Sequence, residues 1–171
     1  MNTTEIQLPE GDLLYKGYIG LLGEVDLMGM LERQLQNFPK FIEAVPDDKW
    51  HYAYAPGKWT VGQVFLHIID AERVFQYRAL RFSRGDSTEL PGFDQDLYAM
   101  GYRTENMTKE CILGQYRAVR NTTISLFGNL DRDTFALGGI AGGIPWNVGV
   151  LGFAICGHQK HHRNGIRDRY L

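Results

Sequence analysis

The sequence contains little cysteine and no long apolar run. Its two cysteines, Cys111 and Cys156, stand far apart, without the close spacing of a zinc knuckle or the density of a disulfide-stabilised secreted domain. We therefore expect a reducing, cytoplasmic setting. No window approaches the roughly 20 apolar residues that a membrane span needs, and the first residues lack the basic start and apolar stretch of a signal peptide. We expect neither membrane insertion nor export.

The sequence also lacks an excess of positive charge. Lysine and arginine together number 18 against 20 acidic residues, so the net charge is -2 and no broad cationic surface is available for a phosphate backbone. We expect no nucleic-acid partner. Hydrophobic residues make up 44% of the chain and charged residues 22%, as in ordinary globular domains, and a length of 171 residues fits one domain.

Four segments carry apolar residues at the three- and four-residue steps of amphipathic helices. They cover residues 27–45, 60–83, 108–130 and 147 to near the C-terminus. Residues suited to capping a helix N-terminus stand at their starts: Asp26, Thr60 with Gln63, Thr108 and Asn147. A short helix is also predicted for residues 94–102. The pattern predicts an all-α four-helix bundle with antiparallel helices, and it leaves simple and crossover topologies open.

The remaining segments show weaker patterns. Residues 1–23 lack periodicity and are predicted to be an N-terminal arm along a bundle domain of residues 24–171. The glycine-rich residues 138–143 are predicted to be a flexible connector, and no strand pattern is evident. The aromatic turn at residues 52–59 is expected to close one end of the core, with ligand contact as the alternative.

Histidines interrupt the apolar stripe of the last helix. The stripe continues through Ile155 to His158 and His162, which places two imidazoles where the spacing demands apolar side chains. Burying an unpartnered imidazole costs on the order of 1–3 kcal/mol, so a partner is expected. Residues at i and i+4 share a helix face, which suits two ligands of one metal ion. His67, beside the stripe position Ile68, is the predicted third ligand, and three histidines leave one coordination position open for catalysis.

Other readings of these residues stay open. His161 also shares a face with His158 and is the alternative to His162, and a hydrogen-bonded histidine cluster without metal is the structural alternative. Asp70, one turn after His67, is a candidate to orient a ligand imidazole, although a solvated carboxylate explains it equally well. Glu72 and Arg73 are read as ordinary ion-pair residues without a functional role. The segment after His158 lacks the glutamate of His-Glu-x-x-His peptidases, so peptidase chemistry is not expected.

The chain resembles the DinB/YfiT-like superfamily of metal-dependent enzymes over most of its length from about residue 27. The resemblance is carried by Gly57-Lys58-Trp59-Thr60 leading to His67, Ala71-Glu72-Arg73, Tyr77-Arg78-Ala79-Leu80, Leu90-Pro91-Gly92-Phe93, Gly157-His158, His161-His162 and Arg169-Tyr170-Leu171. It implies a four-helix bundle whose second and fourth helices hold a divalent ion, often nickel or zinc, through His67, His158 and His162.

The resemblance also implies a function. Relatives include bacillithiol-dependent thiol S-transferases and mycothiol-dependent isomerases, so the expected reaction is hydrolysis or thiol S-transfer to a small molecule by a metal-activated water or thiol. A low-molecular-weight thiol cofactor and a homodimer are further implications. The alternatives are a non-catalytic bundle that binds metal or a small ligand, and a structural or interaction domain.

Overall fold

The computed structural model describes residues 1–11, 13–102 and 107–171, and these contain six α-helices and one two-stranded sheet. The helices are α1 (Leu14–Gly20), α2 (Leu27–Ala44), α3 (Val61–Ser83), α4 (Gln95–Gly101), α5 (Lys109–Gly128) and α6 (Val148–Arg169). The strands are β1 (Gly138–Ala141) and β2 (Ile144–Asn147). The long helices α2, α3, α5 and α6 form a four-helix bundle, which confirms the predicted all-α fold class.

The predicted caps start all four bundle helices. In each case the side chain of the cap accepts a hydrogen bond from the backbone N–H three residues later, which satisfies a donor that the helix itself leaves unpaired. The capping residues are Asp26, Thr60, Thr108 and Asn147. The Gln63 side chain in turn accepts a hydrogen bond from the backbone N–H of Thr60, as the sequence predicts.

The bundle has a crossover topology. Both α2 and α3 pack against α5 and α6, so the consecutive helices α2 and α3 occupy opposite corners. Helices α3 and α6 are antiparallel, because Phe75 of α3 lies against Trp146 at the start of α6, while Tyr170 at the end of α6 bonds the Trp59 carbonyl before α3.

Helices α3 and α5 run in the same direction. Arg73 bonds Gln115, and further along both helices Gln76, one turn after Arg73, bonds Thr122, two turns after Gln115. The long connection through α4 carries the chain back to the same end of the bundle before α5 begins. The antiparallel expectation is therefore wrong for this pair, because a connection this long does not require the next helix to reverse direction.

The predicted flexible connector is an ordered β-hairpin. Strands β1 and β2 pair antiparallel, and the turn between them consists of Gly142 and Gly143 at φ values of 62° and 75°. Positive φ at both central residues matches the twist of a two-residue hairpin, and glycine adopts it without steric cost. Leu90 adds two backbone hydrogen bonds to this turn, through Ile140 and Gly142. The expectation of a linker without strands is thus wrong.

Helix α6 is buried on every side over its first twelve residues, from Val148 to Gln159. Helices α2 and α3 cover part of its surface, and α1, which lies in the predicted N-terminal arm, covers another part. The contact with α1 depends on Gly157, where an added Cβ would overlap the carbonyl oxygen of Tyr18. A helix enclosed in this way carries apolar residues all round instead of one clean stripe.

A buried polar network joins the four bundle helices at mid-height. Arg120 of α5 is fully buried and makes a bidentate ion pair with Glu72 of α3 at 2.7 and 2.8 Å. The same guanidinium donates to the side-chain oxygens of Gln34 in α2 and Gln159 in α6, each at 2.8 Å. Glu72, read from the sequence as an ordinary ion-pair residue, is therefore a central structural residue.

No helix in the described ranges has the length and apolar composition needed to cross a lipid bilayer.

We expect Gly157→Ala to lower the free energy of unfolding by about 1–3 kcal/mol, because the added methyl group has to displace the α1 backbone. Gly165→Ala is the matched control: it lies on the same helix with open space at its Cβ, and alanine there gains up to about 1 kcal/mol of helix propensity. Urea unfolding of the two variants measures the difference. Equal effects would show that the contact between α1 and α6 is loose.

Glu72→Gln should cost about 3–5 kcal/mol, because it leaves the Arg120 guanidinium buried without a counter-charge. Arg73→Gln on the same helix breaks a partly exposed ion pair with Asp70 and should cost less than about 1 kcal/mol. Thermal and urea unfolding of both variants provide the test. A loss for Glu72→Gln as small as that of the control would contradict a structural role for the network.

Candidate metal centre

Three histidine side chains converge between α3 and α6. The Nε2 atom of His158 lies 3.0 Å from that of His67 and 3.1 Å from that of His162. These three residues form the group in the described chain whose donor atoms lie close enough to share a metal ion, all within 4.8 Å of one another. The antiparallel packing of α3 on α6 brings His67 opposite His158, and the i, i+4 spacing adds His162 on the same face.

Hydrogen bonding alone does not satisfy this arrangement. A neutral imidazole nitrogen either donates one proton or accepts through one lone pair, so the Nε2 of His158 can serve only one of its two neighbours. The other of the two contacts would then place two donors or two acceptors about 3 Å apart. Two nitrogen ligands about 2.0–2.1 Å from one ion lie about 3.0–3.4 Å apart, so the separations of His158 from His67 and from His162 each fit two donors on one divalent cation.

Burial keeps all three imidazoles neutral. It lowers the pKa of His67 to about 4, against the opposing charges of Asp70 and Asp96. Burial, reinforced by the other histidines, lowers the pKa of His162 to about 3 and that of His158 well below its usual value. Neutral imidazole is the form that binds metal, because the coordinating lone pair must be free of a proton.

His161, the alternative ligand, is not part of the group. Its side chain is exposed and packs against the ring of Tyr18 at 5.2 Å. Burial and the charge of Arg169 lower its pKa. The geometry thus favours His162 as the partner of His158.

Asp70, the candidate orienting carboxylate, has other partners. One of its oxygens accepts a hydrogen bond from Arg73 at 2.7 Å, and the other accepts one from the hydroxyl of Tyr102. In the described residues it has no hydrogen bond to His67 and acts on that ring only through its charge.

Aromatic rings enclose the three histidines. Trp59 lies 4.8 Å from His67, and Tyr18 and Phe75 meet His158 edge-on at 5.3 and 6.0 Å. Sequence reasoning placed Trp59 in an aromatic turn but missed Tyr18, because the first 23 residues have no periodicity to indicate which side faces inward. These rings limit the access of water to the donor atoms, which strengthens electrostatic interactions there.

A cavity of about 940 Å³ opens beside the histidines, within the range of small-molecule sites. His162 lies in its wall, so the donor group has one side facing the cavity. Aromatic side chains from the turn before α3 and from the end of α6 line it, and so do charged residues: Lys58, Asp96, Asp168 and Arg169. The alternative reading of the aromatic turn, as a ligand-contacting segment, gains support because Tyr54 and Trp59 line this cavity.

Comparison with known proteins agrees with this architecture. A search of curated proteins finds no significant match. Among solved structures the chain is similar to YfiT from Bacillus subtilis, described as a probable metal-dependent hydrolase with an unusual four-helix bundle topology. The TM-score is 0.75 at 16% sequence identity, and the alignment covers 95% of this chain and 90% of YfiT. The model of the DinB superfamily matches residues 30–166, and the chain therefore belongs to the DinB superfamily.

Proposed function

We propose that this protein is a metal-dependent enzyme in which His67, His158 and His162 hold a divalent ion, zinc or nickel, beside a small-molecule cavity. One observation carries the proposal: three neutral imidazoles point their Nε2 atoms at one another, and one of them lines the cavity. A bound divalent ion would lower the pKa of a coordinated water or thiol and so provide a nucleophile at neutral pH. Hydrolysis and thiol S-transfer to a small molecule are the reactions that this chemistry serves.

Residues around the proposed ion would bind it, exclude water and accept a proton. The three histidines supply neutral donors and leave the cavity side open, and Tyr18 together with Phe75 covers His158 away from the cavity. Asp96 lines the cavity, and its charge reaches His67, so it is placed to accept the proton that the nucleophile releases. Asp70 contributes negative charge behind His67, which favours cation binding.

The adjoining cavity favours an enzyme over the two alternatives. A metal site used only for storage or sensing is expected to have a closed shell of protein ligands without a neighbouring pocket, as in structural zinc sites. A purely structural cluster of histidines requires every ring nitrogen to find a hydrogen-bond partner, which three converging Nε2 atoms do not provide.

Metal content is the first test. Protein purified without an affinity tag should contain near-stoichiometric divalent metal by mass spectrometry, and His158→Ala should lose it, since removing one of three imidazoles destroys the site. Loss of metal from His67→Ala and His162→Ala is expected as well.

Two histidine variants serve as controls for this measurement. His161→Ala and His51→Ala should keep the metal, because both side chains are exposed and lie outside the converging group. A wild-type protein that carries no metal and takes none up on reconstitution would refute the metalloenzyme assignment. Retention by His162→Ala together with loss by His161→Ala would reassign the third ligand.

Acid should destabilise the metal-free protein through the buried histidines. The folded state keeps His67 neutral down to about pH 4, whereas the unfolded chain takes up a proton near pH 6.5. Between these values unfolding binds a proton, so the free energy of unfolding falls as the pH falls, by up to about 1.4 kcal/mol per pH unit for this residue. Above pH 6.5 the residue contributes no pH dependence.

Urea unfolding of chelator-treated protein at several pH values measures this effect. His67→Gln should have a shallower pH dependence than the wild type in that window, whereas His51→Gln, at an exposed position, should match the wild type. Identical slopes for the wild type and His67→Gln would show that the folded state does not exclude the proton from this site.

A further inference from the structure

Two cations of the cavity have no carboxylate partner. Lys58, in the turn before α3, and Arg169, at the end of α6, both line the cavity, and neither forms an ion pair in the part of the chain that the structure describes. Elsewhere in the molecule arginine side chains commonly pair with acids, as Arg73 does with Asp70 and Arg167 with Asp168.

Arg169 is held in place by an aromatic wall. Its Nη1 donates to the hydroxyl of Tyr54 at 3.4 Å, and its guanidinium lies over the ring of the same tyrosine at 5.6 Å. Tyr54 meets Tyr170 edge-on at 5.0 Å, and the Tyr170 hydroxyl is anchored on the carbonyl of Trp59 at 3.0 Å. The exposed guanidinium is therefore restrained by its two contacts with Tyr54, which reduces the entropy lost when it binds a ligand.

The acidic residues of the cavity do not cancel this charge. Asp168 forms its ion pair with Arg167 at 2.8 Å, and it acts on Arg169 only through its charge at longer range. Asp96 is the other carboxylate in the cavity wall, and its charge acts on the histidine end. Two cations thus face one unbalanced carboxylate, and the cavity favours an anion.

We propose that the cavity binds a small organic carboxylate with a flat apolar portion. Its carboxylate group is held by Lys58 and Arg169, and its flat portion packs against Tyr54 and Trp59. Guanidinium matches a carboxylate through two parallel hydrogen bonds, and flat apolar groups stack on aromatic side chains. The inference rests on the proposed function in one respect: the same cavity presents the bound molecule to His162, so the carboxylate is part of a substrate or co-substrate.

Two probes of nearly equal shape, one anionic and one neutral, test whether the cavity prefers an anion. Naphthalene-2-carboxylate and its neutral amide, naphthalene-2-carboxamide, are titrated into chelator-treated wild type by calorimetry, with the fold of each variant checked by circular dichroism. Because a charge-assisted hydrogen bond is stronger than a neutral one, we expect the carboxylate to bind about tenfold tighter than the amide.

Matched variants assign the preference to the two cations. Arg169→Gln and Lys58→Gln should each remove much of the tenfold preference, while Arg169→Lys should keep part of it and leave amide binding close to that of wild type. Arg163→Gln is the control, because Arg163 is on the same helix, lies over the ring of Phe41 and does not line the cavity, and it should bind like the wild type.

Several outcomes would overturn the proposal. They are equal binding of the two probes, an equal loss of preference in Arg163→Gln, or a preference that exists only in zinc-loaded protein and disappears in His158→Ala, which would assign the carboxylate to the metal. Metal content is measured on the same preparations before chelator treatment and after reconstitution. A preparation that contains no metal and takes none up, yet prefers the carboxylate, would refute the metalloenzyme and leave the carboxylate site standing.

Discussion

The fully buried guanidinium of Arg120 is the constraint on which the rest of the bundle depends. It bonds one side chain from each of the other three bundle helices, Gln34, Glu72 and Gln159. A buried charge requires a full set of partners, so a rotation or slip of any one helix would remove at least one of the hydrogen bonds of Arg120. Because Gln159 is adjacent to His158, the same network fixes the orientation of α6 at the point where the histidines converge.

Much of the helical architecture follows from short-range signals. The caps at Asp26, Thr60, Thr108 and Asn147 and the apolar spacing that follows them are local features, and they place the four bundle helices to within a few residues. The convergence of His158 with His162 is also local, since it depends only on helical pitch. His67 needed the additional assumption that α3 and α6 are neighbours, which the family resemblance supplied and the structure bears out.

The features that the sequence did not reveal depend on distant partners. The hairpin has a two-glycine turn, but its strands have only four residues each, which is too short to show the alternation typical of a strand. Helix α1 is short and has no clean apolar stripe that would predict it. Its position depends on the close approach of its backbone to Gly157, which is distant in sequence. The pair of Glu72 and Arg120 lies 48 residues apart in sequence. Neither residue alone indicates that it is buried with the other.

The central position of α6 has a consequence for how the chain assembles during synthesis. The surfaces of α1, α2 and α3 that enclose this helix leave the ribosome before it does, and they remain exposed to water until α6 arrives. Two of the three converging histidines come with it, together with Gln159, which completes the polar network. The incomplete chain therefore has neither a closed core nor the full set of converging histidines. Completion of the fold and assembly of the site are a single late event.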